Sequence, residues 1–264
     1  MYTNVVLSIA GSDSGGGAGM QADLRTFMAL KVHGCSAITC ITAQNSLGVN
    51  TVQALQAKIV KSQIDTVFSD FKIKAVKTGM LLNEEIVLNV SKKLRGYSIP
   101  KIIDPVMVSR TGAKLIEKNA INAYKDSLFP QADVITPNIL EASLLSEIRI
   151  ENKQDIENAG LKLLEFGSNS VLIKGGGINK FKGKDFYIDK NGTTKWFKCD
   201  FINTTNTHGS GCTLSAAICG YLGLDLSVFE SIGKATSFVN ESLSKSYKIG
   251  SGPGPLGHHQ NIDY

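Results

Sequence analysis

Short runs of β-branched and aliphatic residues alternate along this chain with longer amphipathic stretches, and this alternation restricts the fold more than any other feature. Val5-Val6-Leu7-Ser8-Ile9 is followed by an amphipathic stretch over 21–31, Ala75-Val76-Lys77-Thr78 by one over 83–95, and Ile102-Ile103 by one over 117–128. Val134-Ile135-Thr136 leads into 139–146 and 153–166, after which comes Ser170-Val171-Leu172-Ile173-Lys174. A strand followed by a crossover helix and a parallel partner gives this rhythm, and the strands stay apolar because helices cover both sheet faces. The expected architecture is an α/β doubly wound core. With 264 residues, 42% of them hydrophobic, the chain can bury one sizeable core, and we expect a single domain over residues 1–264.

Two segments depart from the rhythm. Phe186-Tyr187-Ile188 and the run 195–198 flank Asn191-Gly192, a dipeptide suited to a type I′ hairpin, which predicts an antiparallel pair at the sheet edge. The stretch 35–55 has strand character around a Thr42–Gly48 loop and could form a small flap. Ser251-Gly252-Pro253-Gly254-Pro255 reads as an extended tail.

In such sheets ligands lie beyond the carboxyl ends of the strands. Those positions here hold Gly, Asp, Asn and Thr: Gly11 to Gly19 after the first strand, then Thr78-Gly79-Met80, Asp104-Pro105, Thr136-Pro137-Asn138 and Lys174-Gly175-Gly176-Gly177. The net charge of +5 is spread without a block of like charges, which suits small anionic substrates and argues against nucleic acid. Five cysteines at irregular spacing, with no CxxC pair, fit reduced thiols rather than a zinc site. The apolar run Val5–Ala10 is too short for a membrane span, so the expectation is a cytoplasmic protein.

The segment Asn206-Thr207-His208-Gly209-Ser210-Gly211-Cys212 pairs a glycine turn with a run of helix formers in which Leu214, Ala217, Ile218 and Leu222 recur at helical spacing. Backbone N–H groups of Gly209, Ser210, Gly211 and Cys212 at such a helix start would hold a transferring phosphoryl group. An ordinary capped turn has the same local signature. Cys212 in the first helical turn is placed for a dipole-lowered thiol pKa, although a free Cys is more often a small core residue. His208 fits a turn as readily as a base and takes no role at this point. The glycine-rich GSDSGGGAG lacks the Gly-Lys-Ser/Thr of a Walker A loop and the GxGxxG spacing of a dinucleotide site; it reads as a loop over a small ligand with Asp13 and Asp23 as anchors, or as a plain βα turn. Asp104 and Glu141, the latter three residues after Asn138, are candidate magnesium carboxylates or, singly, helix caps. Lys174, at the end of an apolar strand, suits a phosphate or a solvated strand end.

The ordered set AGSDSGGGAGMQADLRTF, TAQNSLGV, VKTGML, DPVMVSRTG, ITPNILEA, VLIKGG, NTHGSGCTLSAAI and GSGPGPLGH, from about residue 5 to residue 259, resembles the hydroxymethylpyrimidine/phosphomethylpyrimidine kinases of thiamine biosynthesis, members of the ribokinase-like superfamily. The resemblance implies a three-layer α/β/α sandwich, a homodimer, and two MgATP-dependent phosphorylations of 4-amino-5-hydroxymethyl-2-methylpyrimidine, first on the alcohol and then on the monophosphate. It implies a pyrimidine site at Gly11, Ala18, Asp23, Gln44, Met80 and Val106, with the Gln44 amide reading the ring edge. It puts Cys212 where sugar kinases of the superfamily carry a catalytic Asp, on the turn of Gly209, Ser210 and Gly211. Asp104 and Glu141 are implied at magnesium, and Asn138, Lys174 and Thr207 near the nucleotide phosphates. Ser210 stands where Thr is commoner, and Gly177-Ile178 replaces a common His-Leu. A pyridoxal or pyridoxine kinase on the same scaffold, and a ligand-binding homologue without turnover, are the alternatives.

Overall fold

The computed structural model describes residues 4–107 and 116–261; the part of the DPVMVSRTG motif from Val108 onward lies outside them. Nine strands form one sheet in the order β3-β2-β1-β4-β5-β6-β7-β8-β9. They are β1 (Val5–Asp13), β2 (His33–Gln44), β3 (Val49–Ala54), β4 (Ile73–Thr78), β5 (Lys101–Ile103), β6 (Val134–Ile135), β7 (Ser170–Lys174), β8 (Lys184–Asp189) and β9 (Thr194–Lys198). The six strands from β2 to β7 pair in parallel, and β3, β8 and β9 add antiparallel margins.

Alternation along each strand divides the core in two. Leu7, Ile9, Val76, Ile103, Ile135, Val171 and Ile173 face one side, where they meet α2 (Ala57–Asp70), α3 (Glu84–Leu94), α4 (Lys118–Ala123), α5 (Ile139–Ser146) and α6 (Lys153–Leu164). Val6, Ala75, Ile102, Val134 and Leu172 face the other, against α1 (Gly19–Ala29), α7 (Ser210–Gly223) and α8 (Val228–Ser244). Successive strand side chains point to opposite faces, so a strand buried on both sides must be apolar at nearly every position, as the sequence reading expected. The layers are those of an α/β/α sandwich. Among the described residues no helix is long and apolar enough to cross a membrane.

Three local features differ from expectation. Gly192 has a φ of 83°, but Asn191 is not in the left-handed region, so the β8–β9 connection is not a type I′ turn. Gly192 N–H donates to the Asp189 carbonyl at 3.0 Å and the Asp189 carboxylate accepts from Asn191 and Thr193 N–H, which gives a type I turn closed by a left-handed glycine. The amphipathic stretch 117–128 is α4 followed by a wider π turn over Tyr124–Leu128, which seats the Tyr124 ring in the core with its hydroxyl donating to the Gly79 carbonyl. The extended tail expected over 251–255 is tied to the rest of the chain: Gly252 N–H donates to Ser46 Oγ in the β2–β3 connection, Gly254 N–H to Asn206 Oδ1, and His208 N–H to the Gly254 carbonyl.

Candidate active site

The carboxyl ends of β1, β4, β5 and β7 meet the first turns of α1 and α7. After a register shift between Ala10 and Ser12, β1 runs into the glycine loop. The Asp13 carboxylate gathers that loop by accepting N–H bonds from Gly15 at 2.8 Å, Gly17 at 3.1 Å and Ala18 at 2.8 Å, and Arg25 closes it from outside by donating to the Gly16 carbonyl. Asp13 therefore anchors the loop's own backbone. The Gln44 amide at the end of β2 lies 3.3 Å from His208 Nε2, which is 2.9 Å from Asp13 Oδ2.

Gly209 precedes α7 at φ +85°, a conformation that favours glycine, and a Cβ there would run into the Gly17 carbonyl oxygen. The two glycine segments thus fit against each other only because neither carries a side chain at the contact. Ser210 N–H turns back to the Thr207 carbonyl at 3.3 Å, so of the four donors expected for an anion, Gly209, Gly211 and Cys212 have no acceptor among the described hydrogen bonds. Thr213 donates its hydroxyl to the Gly209 carbonyl at 2.9 Å and is itself 2.8 Å from Nε2 of the buried His258.

Beneath the turn lies a buried charge cluster. Lys77 Nζ sits 2.7 and 2.9 Å from the Asp23 carboxylate, both side chains at 0% exposure, and Ser8 Oγ donates to Asp23 at 2.6 Å. Lys174 Nζ donates to Asp104 at 2.7 Å, Ser215 Oγ donates to the other Asp104 oxygen at 2.8 Å, and a Cβ on Gly211 would lie 3.4 Å from Lys174 Nζ. Burial disfavours the Lys77 ammonium, but Asp23, Cys212 and Asp104 more than offset this and hold its pKa above the ordinary value. Asp104 and Glu141 do the same for Lys174. A charge on the Cys212 sulfur would stabilise both ammonium groups, and the sulfur lies at the Gly19 N–H that opens α1. The expected lowering of the Cys212 pKa is not what the free site produces: burial pushes the thiol up to about 11, with Lys77 and Gly19 pulling the other way. Desolvation outweighs the helix dipole there.

The other expected positions fall as follows. A Cβ on Gly11 would meet Cys40 Sγ at 2.6 Å and Met80 Cε at 3.0 Å, so Gly11 and Met80 share one wall. Ala18 is the residue before α1, and Val106 follows Asp104, bonding its N–H to the Asp104 carbonyl. Asn138 caps α5, and Glu141 completes a capping box, with Oε2 accepting from Asn138 N–H and Oε1 from Met107 N–H. The capping role considered for Glu141 is thus present, on a carboxylate that is 2% exposed. Burial beside Asp104 raises its pKa, with Lys174 opposing. Among the described residues no group of three His, Cys, Asp or Glu gathers as a metal cage.

Four contributors escaped the sequence reading: Lys77, Cys40, Ser215 and the His208 imidazole. Lys77 had a signal, because a lysine inside a strand that must be apolar on both faces needs a buried counter-charge. His208 had none, since its partner Asp13 is 195 residues away.

Comparison with known proteins identifies the family. The family described as Phosphomethylpyrimidine kinase matches residues 13–257. The hydroxymethylpyrimidine/phosphomethylpyrimidine kinase of Synechococcus elongatus is 48% identical over 259 residues, 98% of each chain. The crystal structure of phosphomethylpyrimidine kinase from Clostridium difficile 630 superposes with a TM-score of 0.81 at 39% identity, over 91% of this chain and 100% of that one. A Bacillus subtilis pyridoxal kinase in an ADP complex gives a TM-score of 0.90 at 34% identity, over 97% of each. A glycine turn closed by a half-buried cysteine, two lysines beneath it and a match across nearly the whole chain place this protein in the phosphomethylpyrimidine kinase family.

Proposed function

We propose that this protein transfers the γ-phosphoryl group of ATP to the hydroxymethyl oxygen of 4-amino-5-hydroxymethyl-2-methylpyrimidine and then phosphorylates the monophosphate to the diphosphate, in thiamine biosynthesis. The observation that carries the reading is Cys212, set at the first turns of two helices, where its negative charge would interact favourably with the buried ammonium groups of Lys77 and Lys174. In-line phosphoryl transfer asks the protein mainly to position the reactants and to stabilise spreading negative charge. The N–H groups of Gly209, Gly211 and Cys212 do the second, and Lys174, on the same rim, adds a positive charge; Ser210 and Thr207 complete the turn around the phosphates, and Asn138 lies at the start of the neighbouring helix. Cys212, as the thiolate that the Lys77 ammonium and Gly19 N–H favour, accepts the proton of the attacking hydroxyl and becomes the neutral thiol.

Asp104 and Glu141 fit a magnesium ion bound through one or two carboxylates and the phosphates: they are two buried carboxyl groups on one rim, and burial, with the Asp104 charge beside it, raises the Glu141 pKa to about 7. When bound, the ion would offset the negative charge of the phosphates. A cleft of about 440 Å³, lined by Lys198, Cys199, Asp200, Ser237 and Asn240 among others, lies where the chain leaves β9 for the glycine turn and is sized for a nucleoside. The pyrimidine falls to Gly11, Ala18, Asp23, Gln44, Met80 and Val106. A homodimer belongs to the same reading, supported by the exposed apolar side chains of Ile41, Leu47 and Val49 on the flap, as does cytoplasmic residence, supported by five free cysteines.

A second reading, pyridoxal or pyridoxine phosphorylation, is favoured by the likeness to the Bacillus subtilis pyridoxal kinase structure. Incubation with MgATP and each ring alcohol in parallel, with products identified by mass, separates the two. The expected product is the pyrimidine diphosphate; phosphorylated pyridoxine alone overturns the first reading. Cys212→Ala is expected to lower kcat by a factor of about 100 or more, the range for loss of a general base, and turnover near the wild-type rate removes Cys212 from that role.

A further inference from the structure

An amide that reads a ring edge must present its oxygen and its nitrogen in a fixed order. The two ends of a carboxamide are nearly the same size, so only their hydrogen-bond partners hold that order. One end of the Gln44 amide lies 3.3 Å from His208 Nε2 and the other 3.4 Å from Thr42 Oγ1. What each of these atoms does elsewhere decides what it offers Gln44. His208 Nε2 is 2.9 Å from Asp13 Oδ2, an ionised oxygen that only accepts, so Nε2 carries its hydrogen and has no lone pair for an amide N–H. The single Thr42 hydroxyl hydrogen goes to the Ser12 carbonyl at 2.7 Å, so Thr42 offers Gln44 a lone pair and no hydrogen. Both ends give the same answer. With the nitrogen toward His208, N–H would oppose N–H at one end and oxygen lone pairs would oppose each other at the second; with the amide turned by 180°, an amide N–H meets the Thr42 lone pair and the amide oxygen faces the Nε2–H, which it shares with the closer Asp13 carboxylate.

From this network we infer that Asp13 and His208 act together as a positioning device that locks the Gln44 amide with its oxygen toward His208 and its NH₂ toward Thr42, and thereby sets which ring the site accepts. The inference rests on the function proposed above, in which Gln44 reads the substrate. One lone pair and one N–H of the amide remain for a ligand, side by side and in known order, which matches a ring edge carrying an amine beside a ring nitrogen. A ring whose edge carries no such pair leaves one of them unmatched. His208 is a stiff reference for this purpose: its ring lies against Gly17, where any Cβ would collide with it, and its backbone N–H is tied to the Gly254 carbonyl at 3.1 Å.

The test compares His208→Phe, which keeps a ring against Gly17 but lacks the donor, with His208→Gln, whose amide N–H reaches the Nε2 position. In His208→Phe, kcat/KM for the aminopyrimidine alcohol relative to pyridoxine is expected to fall about tenfold or more, mainly through KM, as when a site built to hydrogen-bond its substrate loses the match. His208→Gln is expected to recover most of that ratio. An unchanged ratio in His208→Phe, or a His208→Gln variant no better than His208→Phe, overturns the inference. A readout independent of turnover is the ¹⁵N spectrum of histidine-labelled wild-type protein, with the His208 signal assigned by its absence in His208→Gln. A protonated Nε2 is expected, and an unprotonated Nε2 overturns the amide order. If the wild type phosphorylates no aminopyrimidine, the proposed function fails, and the nitrogen spectrum still decides the order of the amide.

Discussion

Replacing Lys77 by Met tests the charge cluster under the turn most directly. Methionine keeps most of the side-chain volume, so packing changes little and the main loss is the ammonium that lies 2.7 and 2.9 Å from the Asp23 carboxylate. Asp23 is then left wholly buried with Ser8 Oγ, at 2.6 Å, as its one described side-chain donor. Removing one partner of a buried ion pair costs about 3–5 kcal/mol. For a chain of this size, that lowers the thermal midpoint by roughly 10 °C. The pH dependence has a definite sign. An unpaired buried carboxyl has a folded-state pKa above its unfolded value, so the variant is stabilised by protonation, and its deficit relative to wild type grows as pH rises from 5 to 8. The double variant Lys77→Met with Asp23→Asn removes the charge as well as its partner and should recover most of the stability without the activity. Thermal melts and urea titrations at two pH values measure all of this. A single variant within about 1 kcal/mol of wild type, or a double variant no more stable than the single one, refutes the reasoning.

Three further outcomes are expected. Gly209→Ala and Gly192→Ala impose a side chain at nearly the same positive φ, +85° and +83°, but only the former strikes another backbone. The first should cost well over 2 kcal/mol and most of the activity in a stopped-time assay, whereas the second should cost about 1 kcal/mol and leave activity intact. His258 is buried and its pKa is pushed down to about 4 by burial, so the unfolded chain takes up a proton between pH 6.5 and 4 that the folded chain does not. On going from pH 7 to pH 5, wild type should lose about 2 kcal/mol relative to His258→Gln, which keeps a donor near Thr213 and shares every other titrating group, when both are followed by urea titration. Glu141→Gln should raise the magnesium concentration for half-maximal rate about tenfold while the melt shifts by only a few degrees, because one amide oxygen can still accept one of the two backbone N–H groups.

The layers of this fold were legible because strand and helix leave different periods in the sequence. Val134-Ile135 and the run Ser170–Lys174 could only be strands covered on both faces, and the capped start of α5 is written in Asn138 and Glu141. The rim was legible for the same reason, since Gly, Asp and Asn fall where each apolar run stops. What could not be read was set by contacts distant in sequence. Asp13 was expected to face a ligand, but it serves three backbone N–H groups of its own loop and a histidine from the far end of the chain. The Cys212 pKa was argued from one helix end alone, whereas its value follows from how completely the surrounding layers exclude water, which no local pattern encodes.

The stretch 250–257 holds both the β2–β3 connection, through Ser46, and the glycine turn, through Asn206 and His208. During synthesis this gives the site a late completion time. Asp13 emerges from the ribosome long before His208, and Gly252 and Gly254 follow later still, so a nascent chain can lay down most of its parallel sheet while the rim at the strand ends is still open. Pairings so far apart along the chain are slow to close. Chains released prematurely before residue 250 would therefore carry most of the strands and helices described here yet lack the tie between the β2–β3 connection and the glycine turn, and they are expected to be collapsed, partly ordered and inactive.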